Sequence, residues 1–252
     1  MMIYLIFILI TLSVLVLALY QLQFFLVFDP KKHKREHLDA RYTVLEITAD
    51  DGTLLEGIEY TPKEFKHTLF YIGARSQDSV ALIHKLSHHF EECRILTFNY
   101  RGYGNSKGVP SEKNLYNDAL HVAKKFQEHY GEFSVAGFSL GSSLAAYVAS
   151  KIKVKHLFLL GGFDSVRALF LKRGFPSFLI KYSFDTVSYM KNVDADTYLV
   201  SSIDDDVVPI ENAHNLKTNI KNLAEYKELS RYNHDEILFS QESVDLVKKV
   251  LC

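Results

Sequence analysis

Phe133-Ser134-Val135-Ala136-Gly137-Phe138-Ser139-Leu140-Gly141-Ser142-Ser143-Leu144-Ala145-Ala146 decides the fold. A short apolar run ends in Gly-x-Ser-x-Gly and opens directly onto a helix-forming segment, which reads as strand, tight turn and helix. In such a turn Gly137 and Gly141 relieve crowding, and Ser139 carries its Oγ outward from the end of the strand. The helix that follows aims unbonded N–H groups and a positive dipole end at that oxygen. The Leu140 N–H is then placed to stabilise an oxyanion. Small Ala145 and Ala146 let the helix lie close to the sheet. The bare pentapeptide is only moderately specific; its place between strand and helix gives it weight.

Strand and helix signals alternate on both sides of this turn. Residues 42–48 and 54–60 flank Asp50-Asp51-Gly52 and read as an antiparallel hairpin. Strands are expected at 68–72, 94–100, 133–137, 154–160, 197–201 and 225–229. Helices are expected at 78–90, 112–130, 142–152, 210–220 and 236–250. Strands separated by helix-length segments imply an α/β fold, a mostly parallel central sheet with helices on both faces.

A serine hydroxyl attacks poorly unless a base removes its proton and a carboxylate orients that base. Both partners belong at the C-terminal ends of later strands. Ser201-Ser202-Ile203-Asp204-Asp205-Asp206-Val207-Val208-Pro209 follows the strand at 197–201, and Asn233-His234-Asp235 follows the last strand. Position alone leaves Asp204, Asp205, Asp206 and, further upstream, Asp164 open as the acid; His234 is the base candidate. The order Ser…Asp…His is that of α/β-hydrolases.

With these residues the chain resembles the α/β-hydrolase family, in particular its small membrane-anchored serine hydrolases, from Tyr42 onward. Phe98-Asn99-Tyr100-Arg101-Gly102-Tyr103-Gly104-Asn105-Ser106-Lys107-Gly108 is similar to the family's DYRGYGxSxG segment. Asp205-Asp206-Val207-Val208-Pro209 is similar to its DxxVP acid segment and points to Asp205. The resemblance implies Ser139 as nucleophile and His234 as general base and then acid. It implies cleavage of ester or thioester bonds through an acyl-enzyme, with acyl or lipid-like substrates, no cofactor and no metal. An amidase or peptidase would use the same machinery, and a non-catalytic membrane-tethered module would keep the fold alone. Where the family often has His-Gly, this chain reads Tyr71-Ile72-Gly73-Ala74-Arg75. The oxyanion donor is a backbone N–H, so Ala74 still supplies one. Arg75 is either a solvated arginine or a contact for an anionic substrate group.

The N-terminus is of another character. No charged side chain precedes Asp29, and residues 3–26 are long enough to cross a bilayer at about 1.5 Å per residue. A cleaved signal peptide would want a basic start and a small-x-small cleavage site, and this stretch has neither. Residues 1–28 therefore read as an uncleaved transmembrane anchor, 29–41 as a basic juxtamembrane linker and 42–252 as the catalytic domain. Lys31, Lys32, Lys34 and Arg35 after the anchor predict a cytoplasmic domain on a single-pass protein. The same four cations are candidates for contact with anionic headgroups.

Formal net charge is −1, from 29 basic and 30 acidic side chains, which gives no global pull toward nucleic acid. The cysteines, Cys93 and Cys252, are too few for a disulfide scaffold or a four-thiolate metal site. His84 and His88 have the spacing of a helical zinc pair but lack an adjacent glutamate and a third ligand, and read as a solvated helix face. Gly102-Tyr103-Gly104 opens no helix and has Lys107 at the third glycine position of a dinucleotide loop. Residues 163–190, rich in Phe and Leu with Arg167, Lys172, Arg173 and Lys181, are either an ordinary connecting helix or a short lid over an apolar pocket.

Overall fold

A computed structural model describes Met2–Leu251, so Cys252 lies outside the described residues. The chain opens with a long helix, α1 (Met2–Val27), and continues with strands β1 (Tyr42–Thr48), β2 (Leu54–Tyr60), β3 (His67–Ile72), β4 (Cys93–Phe98), β5 (Ser134–Phe138), β6 (His156–Leu160), β7 (Asp196–Ser202) and β8 (Leu223–Leu229). Between them lie α2 (Ile83–His89), α3 (Glu112–Tyr130), α4 (Leu140–Ala149), α5 (Val166–Lys172), α6 (Thr186–Met190) and α7 (Ile210–Thr218); α8 (Gln241–Leu251) closes the domain.

The eight strands form one sheet in the order β1-β2-β4-β3-β5-β6-β7-β8. β1 and β2 pair antiparallel, β2 joins β4 antiparallel, and the remaining pairs are parallel. The central strand β5 is buried along its whole length, as parallel strands covered on both faces must be. Its two neighbours diverge in chain order, and ligands bind where such a sheet leaves a crevice at its strand ends. Ser139 stands at that crevice.

Local sequence explains the helices around it. α3 begins where the Ser111 side chain accepts the Asn114 N–H and ends at Gly131, whose φ of +76° suits glycine. Its buried Leu115, Ala119, Val122, Ala123 and Phe126 repeat at helical spacing and face the sheet. α3 and α4 cover one face over a core that includes Phe70, Phe98, Leu144 and Leu159. α2 and α8 cover the other, over Leu69, Ile95, Phe158 and Val247.

Two expected helices start five residues late. In place of 78–90, α2 spans only Ile83–His89; residues 79–82 form turns in which the Asp78 carboxylate accepts the Ala81 N–H (3.1 Å). In place of one helix over 236–250 there is a 3-10 turn, His234–Phe239, and then α8. The Asn233–Glu236 capping box starts that turn at His234. Ser240, with ψ at 147°, breaks it and offers its Oγ to the Ser243 N–H.

α1 holds 26 residues, about 39 Å of helix, which is longer than the roughly 30 Å needed to cross a hydrocarbon core. Its last turns dock on the domain. Gln23 is fully buried, donating from Nε2 to the Leu179 carbonyl (2.7 Å) and accepting the Lys181 N–H at Oε1 (2.9 Å). Val27 and Phe28 belong to the main core, and the Phe28 ring packs edge-on against Tyr182 at 5.0 Å. The basic stretch beyond is held as a strap. Arg35 ion-pairs with Glu56 and with Asp78 (2.7 Å), and Gly104 N–H donates to the Lys31 carbonyl (2.8 Å).

Candidate active site

Ser139 sits between β5 and α4 with φ 53° and ψ −119°, a backbone conformation that L-residues rarely hold without support from their surroundings. Close packing supplies that support. A Cβ on Gly137 would come 2.3 Å from the Gly141 carbonyl oxygen, and one on Gly141 would come 2.1 Å from the Ile72 carbonyl oxygen. Both glycines are required by space. The Ser139 N–H donates to the Leu160 carbonyl (2.9 Å), and the Ser142 hydroxyl donates to the Ser139 carbonyl (2.6 Å).

The fold brings three distant side chains to this point. Ser139 Oγ lies 2.7 Å from His234 Nε2, and His234 Nδ1 lies 2.7 Å from Asp205 Oδ2. All three side chains are buried, and the imidazole stacks on the Phe138 ring at 5.3 Å. The other Asp205 oxygen accepts the Val207 and Val208 N–H groups at 2.8 and 2.7 Å, which fixes the carboxylate plane.

The neighbouring acids are engaged elsewhere. Asp204 accepts the Arg231 N–H, and Asp206 accepts the His234 backbone N–H (3.2 Å). That bond from the His234 backbone holds the Asp206 carboxyl below the usual carboxylate range. Asp164 is bound by the Asn212 and Asn215 amides and the Ser165 N–H. Of the four aspartates weighed from the sequence, Asp205 is the one at the imidazole.

Leu140 is the first residue of α4, so its N–H has no acceptor within the helix. The Ala74 N–H, the second expected donor, is engaged: it donates to Gln77 Oε1 at 3.0 Å, and so does the Tyr71 hydroxyl at 2.6 Å. A substrate oxygen at Ala74 must therefore replace Gln77 as acceptor. The loop carrying Ala74 is braced from behind, with Tyr100 donating to the Gly73 carbonyl and Tyr103 to the Arg75 carbonyl (2.6 Å). Burial pushes both phenols above the usual tyrosine range and keeps them as donors.

The sequence reading did not find Gln77, Tyr100 or Tyr103 as supports of this loop. The signal available was the pair of aromatic residues just past β4. Arg101 of the same segment holds Asp118 and Asp51, and Asn99 donates to Glu56 (2.9 Å) and Asp78 (2.8 Å). His84 of the 84/88 pair packs its ring on Tyr42 at 4.7 Å.

Beside Ser139 opens a cavity of about 180 Å³, walled on the side of the 163–190 segment by Phe163, Val166, Leu169 and Phe170. Within that segment some residues line the cavity and others pack into the core. Phe184 and Met190 are buried in the core, while the 3-10 turn Ser177–Leu179 buries none of its residues and leaves Phe178 81% exposed.

The alpha/beta hydrolase fold family model matches residues 72–202, just over half of the chain. The chain belongs to the α/β-hydrolase fold family. The mouse lysophosphatidylserine lipase ABHD12 is 38% identical over 60 residues, which cover 23% of this chain and 15% of that protein. Alpha/beta hydrolase domain-containing protein 17B of Xenopus laevis is 28% identical over 127 residues, covering 46% of this chain and 41% of that protein. The chain thus spans well under half the length of these curated relatives. Among solved structures, the Pyrococcus furiosus esterase Pf2001 superposes with a TM-score of 0.69 at 17% identity, over 88% of this chain and 96% of that one. In this α/β-hydrolase the turn at Ser139 lies within the residues the family model matches, and the helix α1 precedes them.

Proposed function

We propose that this chain is a membrane-anchored serine hydrolase that cleaves carboxylic ester or thioester bonds of acyl, lipid-like substrates. The observation that carries the proposal is the unbroken relay from Ser139 Oγ through the His234 imidazole to Asp205, 2.7 Å at each step. Ser139 Oγ attacks the acyl carbonyl while His234 Nε2 takes its proton, and Asp205 holds the imidazole in the tautomer with Nδ1 protonated. The developing oxyanion takes the Leu140 N–H and, once Gln77 releases it, the Ala74 N–H; one such donor is worth about 3–4 kcal/mol of barrier. His234 then protonates the leaving alcohol or thiol. Water attacks the acyl-Ser139 ester with His234 again as base, which frees the acid and restores the hydroxyl. Lipase and esterase activities among relatives and fold neighbours favour an ester substrate over an amide.

The reading of α1 as a transmembrane helix rests on its length and on its outer face, where Ile3, Phe7 and Phe25 are among the large exposed apolar residues. Lys31, Lys32 and Lys34 beyond it favour a cytoplasmic domain. In intact cells an external protease should leave the domain uncut; cleavage would reverse this topology. The activity is tested with ester, thioester and amide substrates on the full chain in vesicles beside Ser139→Ala. Turnover of oxygen or thiol esters by wild type alone is expected. Equal turnover by Ser139→Ala would remove Ser139 from the reaction.

A further inference from the structure

The cavity beside Ser139 is not closed by the catalytic domain alone. Leu26 and Val27, in the last turn of α1, line it together with Leu169 and Phe170. The helix end is held there by bonds to the residue that follows Ala74. Arg75 Nη1 donates to the Leu26 carbonyl (3.1 Å), and the Asp29 N–H donates to the Arg75 carbonyl (3.2 Å). Gln23 clamps the other flank through Leu179 and Lys181. Leu26 remains 44% exposed, and Leu22 and Phe25 on the same helix end also expose apolar surface.

We infer that the C-terminal turn of the membrane helix is a wall of the acyl pocket and that Leu26 sets its selectivity, the acyl chain running from Ser139 past Leu26 into the leaflet from which α1 emerges. This rests on the reading of Ser139 as nucleophile and of α1 as membrane-spanning, and it narrows the substrate class to long-chain acyl esters. A cavity of about 150 Å³ holds a benzene-sized guest, so about 180 Å³ takes roughly the first six or seven carbons of a chain. A longer chain must leave by the mouth, and at Leu26 the mouth is bounded by a helix whose preceding turns are apolar. The favoured substrate is then a long-chain acyl ester whose tail stays in the bilayer. A short acyl group ends inside the cavity, before the mouth.

The test uses the full chain in phosphatidylcholine vesicles and compares kcat/KM for the butyrate and laurate esters of p-nitrophenol. Losing the burial of two methylenes is worth about ten-fold. Leu26→Trp, which crowds the mouth, is expected to lower the laurate-to-butyrate ratio by about ten-fold or more, and Leu26→Phe by less. This graded pair preserves the readout if the larger ring unfolds the chain. Phe25→Trp, on a neighbouring position that does not line the cavity, is expected to leave the ratio unchanged. A ratio unaltered in both Leu26 variants, or shifted equally by Phe25→Trp, overturns the inference while leaving the hydrolase reading intact. If wild type turns over neither ester and Ser139 takes no fluorophosphonate adduct, it is the hydrolase reading that fails.

Discussion

At the residue scale the site depends on which proton each polar atom carries. Asp205 Oδ1 accepts two backbone N–H groups while Oδ2 faces His234 Nδ1. In Asp205→Asn the amide oxygen would keep the Val207 and Val208 bonds, which turns its NH₂ toward Nδ1. Nδ1 must then act as acceptor, and the proton moves to Nε2, where a base for Ser139 is needed. The expected loss in kcat is on the order of 10³- to 10⁴-fold with little change in the melting temperature, measured by ester turnover and thermal unfolding side by side. A variant that kept most of its activity would show that Asp205 does not set the tautomer. Ser139 and His234 were legible because each follows a strand, and strand ends converge at one rim of a parallel sheet. That position left four aspartates open, and only the resemblance of Asp205-Asp206-Val207-Val208-Pro209 to a family segment singled out Asp205. Gln77 was not legible. Its bond to Ala74 depends on how one loop folds back on itself, and no periodicity encodes that.

At the element scale the residues after α1 form a strap whose one deeply engaged cation is Arg35. Asp78 is buried, which opposes its ionisation, but Arg35, the His33 N–H and Asn99 outweigh that and hold its carboxyl below the usual range. A depressed carboxylate stabilises the fold above its unfolded value near pH 4, and that stability is lost as pH falls toward the folded value. Arg35→Ala should cost about 2–3 kcal/mol at neutral pH, discounted from a fully buried pair because Arg35 keeps partial exposure. That corresponds to roughly 5–10 °C in melting temperature. The gap between wild type and variant should narrow as pH drops below about 4. A gap that stayed constant down to pH 3 would mean that Asp78 is not the partner that matters. The sequence marked Arg35 only as one of four juxtamembrane cations, because its partners Glu56 and Asp78 lie 21 and 43 residues away. Likewise, the break at Ser240 hid inside a continuous helical pattern, and a serine cap is visible only once the turn before it is known.

At the scale of the whole molecule, the end of α1 and the α/β domain share a core. The apolar run at the N-terminus was plain in the sequence, as was the alternation that gives the sheet. The docking of the run's last turns was not, since Val27 and Phe28 read as membrane residues whether they meet lipid or protein. Phe28 is buried against Tyr182 and Phe184. Phe28→Ala in the full chain should therefore cost about 3–4 kcal/mol, as for a core phenylalanine. The chain has no tryptophan, so circular dichroism of the unfolding domain is the suitable measurement. A melting temperature within one degree of wild type would show that this end of the helix is merely tethered. The central claim is that one hydroxyl on the strained turn forms a covalent bond to the acyl group. The most direct measurement is peptide mass mapping of the full chain after reaction with a fluorophosphonate. A single adduct on Ser139, lost in Ser139→Ala and in His234→Ala, is expected. An adduct on another residue, or none on a folded wild-type chain, would contradict it.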